Sequence, residues 1–128
     1  MIVESSAVMA LLLGEPEADR VEQALAAALR ADLPASCYLE CSLVMAARFG
    51  GEGLARLDRL VEQVPLRVVP FTEAHARAAR EAYLRFGKGR HPARLNFGDC
   101  MSYAVARVEG LPLLYVGEDF GRTDVARA

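Results

Sequence analysis

The chain has 128 residues, 53% of them hydrophobic, with 15 Lys plus Arg against 17 Asp plus Glu and a formal net charge of -2. That is enough apolar surface for one self-supporting domain, 1–128, and too much for a disordered tail. The longest apolar run, Ala7 to Leu13, falls far short of the roughly 18 residues of a membrane span, and the opening Met-Ile-Val-Glu carries no secretion signal, so a cytoplasmic protein with no membrane contact is expected.

Ile2-Val3 reads as a short strand, followed by Ser5 or Ser6 as the cap of an apolar helix Ala7 to Leu13 that stops at Gly14. Glu15-Pro16-Glu17 opens a second helix with Val21, Leu25 and Leu29 as its apolar stripe and an end near Arg30. Leu33-Pro34-Ala35 is a short extended piece, and Ser36 caps a helix through Glu40 and Ala47 to Gly50. Another amphipathic helix carries Leu54, Leu57, Leu60, Val61 and Val64, and a strand Leu66 to Val69 follows between Pro65 and Pro70. Thr72 caps a helix to about Phe86, after which Gly87 to Pro92 breaks into a mobile basic loop. A helix beginning at Asp99 runs to about Val108 and ends at Gly110. Leu113 to Val116 is a strand, Gly117 to Phe120 a turn or short helical piece, and Thr123 to Val125 a last edge strand. Strands separated by helices imply an α/β fold with parallel pairing.

Ligands of such sheets gather beyond the carboxyl ends of the strands. The acids that fall there, just after a strand or in the first turns of the next helix, are Glu4, Glu40, Asp99 and the pair Glu118/Asp119. Each has a simpler explanation as a helix-start or turn acid. Together on one rim they would repel one another, and a divalent cation relieves that repulsion. Hard oxygen donors select Mg²⁺ or Mn²⁺, the ions of phosphodiester hydrolysis. Cys37 and Cys41 lack the further Cys or His of a zinc tetrad and read as buried apolar side chains, with Cys100 as a third unpaired thiol. His75 and His91 have no partner at metal spacing. Between Ala82 and Gly98 no acid occurs, while Arg85, Lys88, Arg90, His91 and Arg94 crowd together, and arginine suits planar recognition of phosphate.

The run Phe86-Gly87-Lys88-Gly89-Arg90-His91-Pro92-Ala93-Arg94-Leu95-Asn96-Phe97-Gly98-Asp99-Cys100, with Leu113 to Phe120 and Thr123-Asp124-Val125, resembles the C-terminal half of VapC toxins, the PIN-domain ribonucleases. Ser5-Ser6-Ala7 with Gly14-Glu15-Pro16 is similar to the family's opening, and Tyr38-Leu39-Glu40 to its second motif, so the likeness covers nearly the whole chain. The resemblance implies a PIN-like three-layer α/β/α fold around a mostly parallel sheet of about four or five short strands. It implies a Mg²⁺- or Mn²⁺-dependent endoribonuclease, the toxin of a toxin–antitoxin pair, held inactive by a VapB antitoxin and commonly dimeric. The family's acids map onto Glu4, Glu40, Asp99 and Asp119, with Glu118 sharing the last assignment and Ser6 matching a hydroxyl beside the metal.

The family has Asp where this chain has Glu4. The added methylene lengthens the side chain by roughly 1.5 Å, and Mg²⁺ demands near-ideal octahedral geometry. Weakened metal binding and slower cleavage are therefore expected, with Mn²⁺ the more tolerant ion. On the mechanism this suggests, Asp99 and Glu4 hold the metal directly or through water, Glu40 positions or deprotonates the attacking water, Asp119 completes the ring, and Arg85, Lys88, Arg90 and Arg94 hold the RNA backbone. A phosphoacceptor of the receiver type would need paired acids after the first strand and a late lysine, but the one lysine is Lys88. A rival of another class is an impaired PIN domain that serves as an antitoxin-binding, regulatory module. The aliphatic faces at Leu11 to Leu13 and Val21/Leu25 suit a toxin dimer or an antitoxin groove.

Overall fold

A computed structural model describes residues 1–128. Its elements in chain order are β1 (Ile2–Val3), α1 (Ser5–Leu13), α2 (Ala18–Ala27), β2 (Ala31–Pro34), α3 (Ala35–Gln63), β3 (Leu66–Val69), α4 (Glu73–Phe86), α5 (Phe97–Glu109) and β4 (Leu113–Leu114), with a 3₁₀ turn at Phe120–Arg122. The four strands pair in the order β3-β2-β1-β4, and every pairing is parallel. Helices cover both faces, which gives the expected α/β/α layers.

Alternation along the central strands divides the core in two. Val3 and Leu114 pack on one face with α1, α2 and α3, and Ile2 and Leu113 on the other with α4 and α5. These four side chains are completely buried, so each two-residue strand serves both halves of the core. No helix is long and apolar enough to cross a membrane.

Several boundaries differ from the expected ones. The cap of α1 is Glu4, whose side chain accepts the Ser6 N–H; Ser5 and Ser6 lie inside the helix. α2 begins at Ala18 and ends at Ala27, so Leu29 stands fully in solvent outside the apolar stripe, while Val21 and Leu25 enter the core. β2 starts two residues before Leu33, and α3 follows it directly, with Ser36 in its first turn and no side-chain cap. The break expected at Gly50 is present as a kink with φ 59°, a left-handed value suited to glycine. β4 is only two residues long, and no strand forms at Thr123–Val125; the tail meets β4 through a single bridge, Leu113 to Arg127.

The basic loop is anchored, contrary to the mobility expected of it. Ala93 and Leu95 are completely buried, Leu95 bridges Gly87, and the Arg122 guanidinium donates to the Pro92 carbonyl at 3.2 Å. The sequence pattern showed the polar half of this segment and hid its apolar plugs.

Candidate active site

Four separate elements deliver the acids to one place. Glu4 follows β1, Glu40 lies two turns into α3, Asp99 is in the first turn of α5, and Asp119 follows β4. All four line a hollow of about 240 Å³ together with Ser5, Ser6, Met9 and Val116. Glu118 is exposed and does not line it, so the structure separates the pair in favour of Asp119.

Each acid is held differently. Glu4 is nearly fully buried. Its carboxylate accepts the Ser5 hydroxyl on one oxygen, and the Ser6 N–H at 2.7 Å and the Ser6 hydroxyl on the other. Ser6 Oγ in turn accepts the Val116 N–H at 2.9 Å, which ties the start of α1 to the chain leaving β4. Asp99 and Asn96 form a reciprocal capping box: the Asp99 N–H donates to Asn96 Oδ1, and the Asn96 N–H to Asp99 Oδ2, both at 2.9 Å. The other Asp99 oxygen is left for the hollow. Glu40 and Asp119 are exposed, with no side-chain hydrogen bond. A Cβ on Gly98 would come within 3.3 Å of a Glu40 oxygen, so the glycine before Asp99 lets α5 approach that carboxylate.

None of the four acids is paired with a basic side chain. The electrostatic result appears at Asp99, whose carboxyl is pushed up to about 6 by burial, and further by the negative charges of Glu4, Asp119 and Glu40, against the opposing hydrogen bond from Asn96. Such a donor set fits a hard divalent cation. No three of these side chains are already gathered into a cage around one point. Mg²⁺ needs none, because it binds through one or two carboxylates and keeps several of its waters.

The cysteines take no part as ligands. Cys37, Cys41 and Cys100 are buried, and burial pushes the Cys37 thiol up to about 12 and Cys100 to about 11. His75 pairs with Glu109 at 3.2 Å, far along α5 from Asp99. Among the basic residues, Lys88, Arg90 and Arg94 line a second hollow, of about 500 Å³. Arg85 is turned elsewhere, stacked 4.6 Å over Phe86 and 3.4 Å from Asp124.

The motif readings gave no role to Asn96, Val116 or Arg122. Asn96 was legible, since Asn followed three residues later by Asp is a capping signal; the backbone of Val116 carries no such mark. Asp32 also went unseen. It is buried in β2 between Arg30 and Arg67, which hold its carboxyl below the ordinary range despite burial.

The PIN domain family profile matches residues 1–126. A Mycobacterium tuberculosis protein named ribonuclease VapC30 is 44% identical over 126 residues, covering 98% of this chain and 96% of that protein. Ribonuclease VapC36 of the same organism is 48% identical, covering 98% and 91%. Among solved structures, the Mycobacterium tuberculosis toxin VapC20, described as cleaving the sarcin-ricin loop, superposes with a TM-score of 0.79 at 19% identity, over 99% of this chain and 97% of that one. VapBC2 from Rickettsia felis, bound to a DNA fragment from its promoter, gives 0.78 at 11% identity, over 98% and 94%. At those identities the two structures speak for the fold.

Proposed function

The chain belongs to the PIN-domain family, and on that premise we propose that it is the VapC-type toxin of a toxin–antitoxin pair, an endoribonuclease that hydrolyses RNA phosphodiester bonds with Mg²⁺ or Mn²⁺. The observation that carries the activity is the convergence of Glu4, Glu40, Asp99 and Asp119 from four elements on one hollow, with no basic residue neutralising them. A bound divalent cation supplies charge neutralisation at the phosphate and makes a water more acidic. Asp99, through the oxygen that the capping box leaves free, and Glu4 would hold it. Glu40, exposed beside Gly98, accepts a proton from the attacking water, and Asp119 completes the negative wall.

Glu4 sets the level of activity. Its longer side chain folds back onto Ser5 and Ser6, which spends most of its lone pairs on protein donors. Cleavage with Mg²⁺ is therefore slower than an aspartate would allow, and Mn²⁺ narrows the gap. The complete acid set and the relatives named as ribonucleases favour an enzyme over an impaired regulatory module. The test is to incubate the protein with total RNA in Mg²⁺, Mn²⁺ or chelator and to sequence the new ends, beside Glu4→Asp. New ends that depend on the metal, with faster cleavage by the Asp variant in Mg²⁺, support the proposal. RNA left intact under all conditions refutes the activity, and equal rates refute the role of Glu4.

A VapB-type antitoxin is the proposed partner, since structural neighbours include toxin–antitoxin complexes. The groove lined by Leu11, Leu25, Ala26, Leu60 and Val64 offers an apolar helix a place to dock. For the proposed homodimer, Leu39 and Leu43, one turn apart on α3, and Phe97 on α5 are the large apolar side chains exposed next to the catalytic acids in sequence.

A further inference from the structure

A hollow in the loop between α4 and α5 is lined by Lys88, Gly89, Arg90, His91, Pro92 and Arg94, and by no hydrophobic residue. Lys88, Arg90 and Arg94 have no carboxylate partner. Their charges are thus available to a ligand, and the lack of apolar lining is unlike the core of a protein–protein interface.

The loop presents these groups in a set geometry. His91 Nδ1 accepts the Ala93 N–H at 3.1 Å, so the neutral ring carries its proton on Nε2, which donates to nothing in the protein. Phe86 packs edge-on against the ring at 5.1 Å and holds its plane. The Arg90 guanidinium rests 5.3 Å over Tyr83, an arrangement that leaves its N–H edges for an anion. Arg94 adopts a left-handed backbone, φ 53°, a conformation that costs any residue other than glycine. The completely buried side chains on either side, Ala93 and Leu95, hold it there. Strain of this kind collects at ligand clamps.

Arg94 is five residues from Asp99, so their backbones lie within about 18 Å even if fully extended. Arg122, in the 3₁₀ turn next to Asp119, fastens the loop at Pro92. The two hollows are therefore a few nucleotides apart.

We propose that the 88–94 loop is a preformed phosphate subsite for the RNA backbone, in which His91 Nε2–H donates to a non-bridging oxygen of one phosphodiester while Arg90 and Arg94 neutralise its charge. This rests on the ribonuclease reading and adds a second anchoring point remote from the scissile bond. His91 acts here as a donor oriented by the Ala93 N–H and the Phe86 ring.

The test uses a 2′-O-methyl oligoribonucleotide, which resists cleavage, in chelator, so that binding is read apart from the metal site. His91→Asn keeps the acceptor for Ala93 but loses the outward donor, and weakens binding about 2- to 10-fold, the range of one hydrogen bond; His91→Gln restores the donor and recovers most of it. Arg90→Gln with Arg94→Gln flattens the slope of log affinity against log salt by about 1.4, two contacts at about 0.7 each. In nitrogen NMR the His91 Nε2 signal carries the proton and shifts when inorganic phosphate is added, and the oligonucleotide, which brings the same kind of oxygen acceptor, shifts it too. Wild-type affinity and slope in all three variants overturn the subsite, as does a proton on Nδ1 or an Nε2 signal that the oligonucleotide leaves unmoved. If those results accompany normal RNA cleavage by the unaltered protein, the subsite alone has failed. If the unaltered protein cleaves nothing, the ribonuclease reading has failed, and the binding data still decide the subsite.

Discussion

Replacing Asp99 with asparagine removes one charge from a ring of four and keeps the side-chain shape. The carbonyl oxygen of the substituted amide still accepts the Asn96 N–H, so the box that starts α5 survives. Lifting a carboxyl from its ordinary 3.8 to about 6 means that ionising it in the folded protein costs about 3 kcal/mol, at about 1.4 kcal/mol per pH unit. Asp99 is only partly buried, so water screens much of this, and about 1 kcal/mol is the expected net effect. For 128 residues, 1 kcal/mol corresponds to about 4 °C in Tm. The sign follows from proton counting: between about pH 4 and 6 the folded state binds more protons at Asp99 than the unfolded chain, so stability falls as pH rises through that window. Asp99→Asn should therefore raise Tm by about 4 °C at pH 8 in chelator and leave it nearly unchanged at pH 4, as scanning calorimetry would record. Added Mg²⁺ should stabilise the wild type more than the variant, and cleavage should be lost. A variant less stable than the wild type at pH 8, or a gain that persists undiminished at pH 4, would refute burial of the Asp99 charge, among its acidic neighbours, as the source of the shift.

Gly98→Ala should dissociate stability from activity. Alanine is the better helix former by up to about 1 kcal/mol, but its methyl would press on Glu40, so unchanged or higher Tm with reduced kcat is expected; full activity would remove Glu40 from the reacting geometry. Asp32→Asn leaves Arg30 and Arg67 without their shared anion and should destabilise by about 1–3 kcal/mol. Its folded carboxyl is held low, so this loss shrinks as pH falls below about 4, and denaturant titration at pH 7 and pH 3 checks both statements.

Much of the site was legible because chemistry and punctuation coincide in the chain. Glu4 stands where β1 yields to α1, Glu40 lies in the helix that follows β2, and Asp119 in the turn after β4, and parallel strands put their carboxyl ends on one edge; Asp99 follows no strand and is marked instead by the cap signal at Asn96. Pro65 and Pro70 delimit β3 as expected, and Thr72 caps α4. Local pattern failed where contacts from afar decide the outcome. Thr123–Val125 has strand-like residues but finds no neighbour to extend the sheet, and Leu29 keeps the helical spacing of its stripe after the helix has ended.

The sequence by itself determined the alternation of strand and helix, the identity of the acids and the clustering of the basic residues, because these depend on residue type and short spacing. Only tertiary structure decided that Asp119 faces the hollow and Glu118 does not, that Arg85 turns to Asp124, and that buried Ala93 and Leu95 pin the basic loop. The physical reason is that side-chain direction at a turn, and the resulting charge environment, depend on packing against residues far away in the chain, which neither composition nor periodicity encodes.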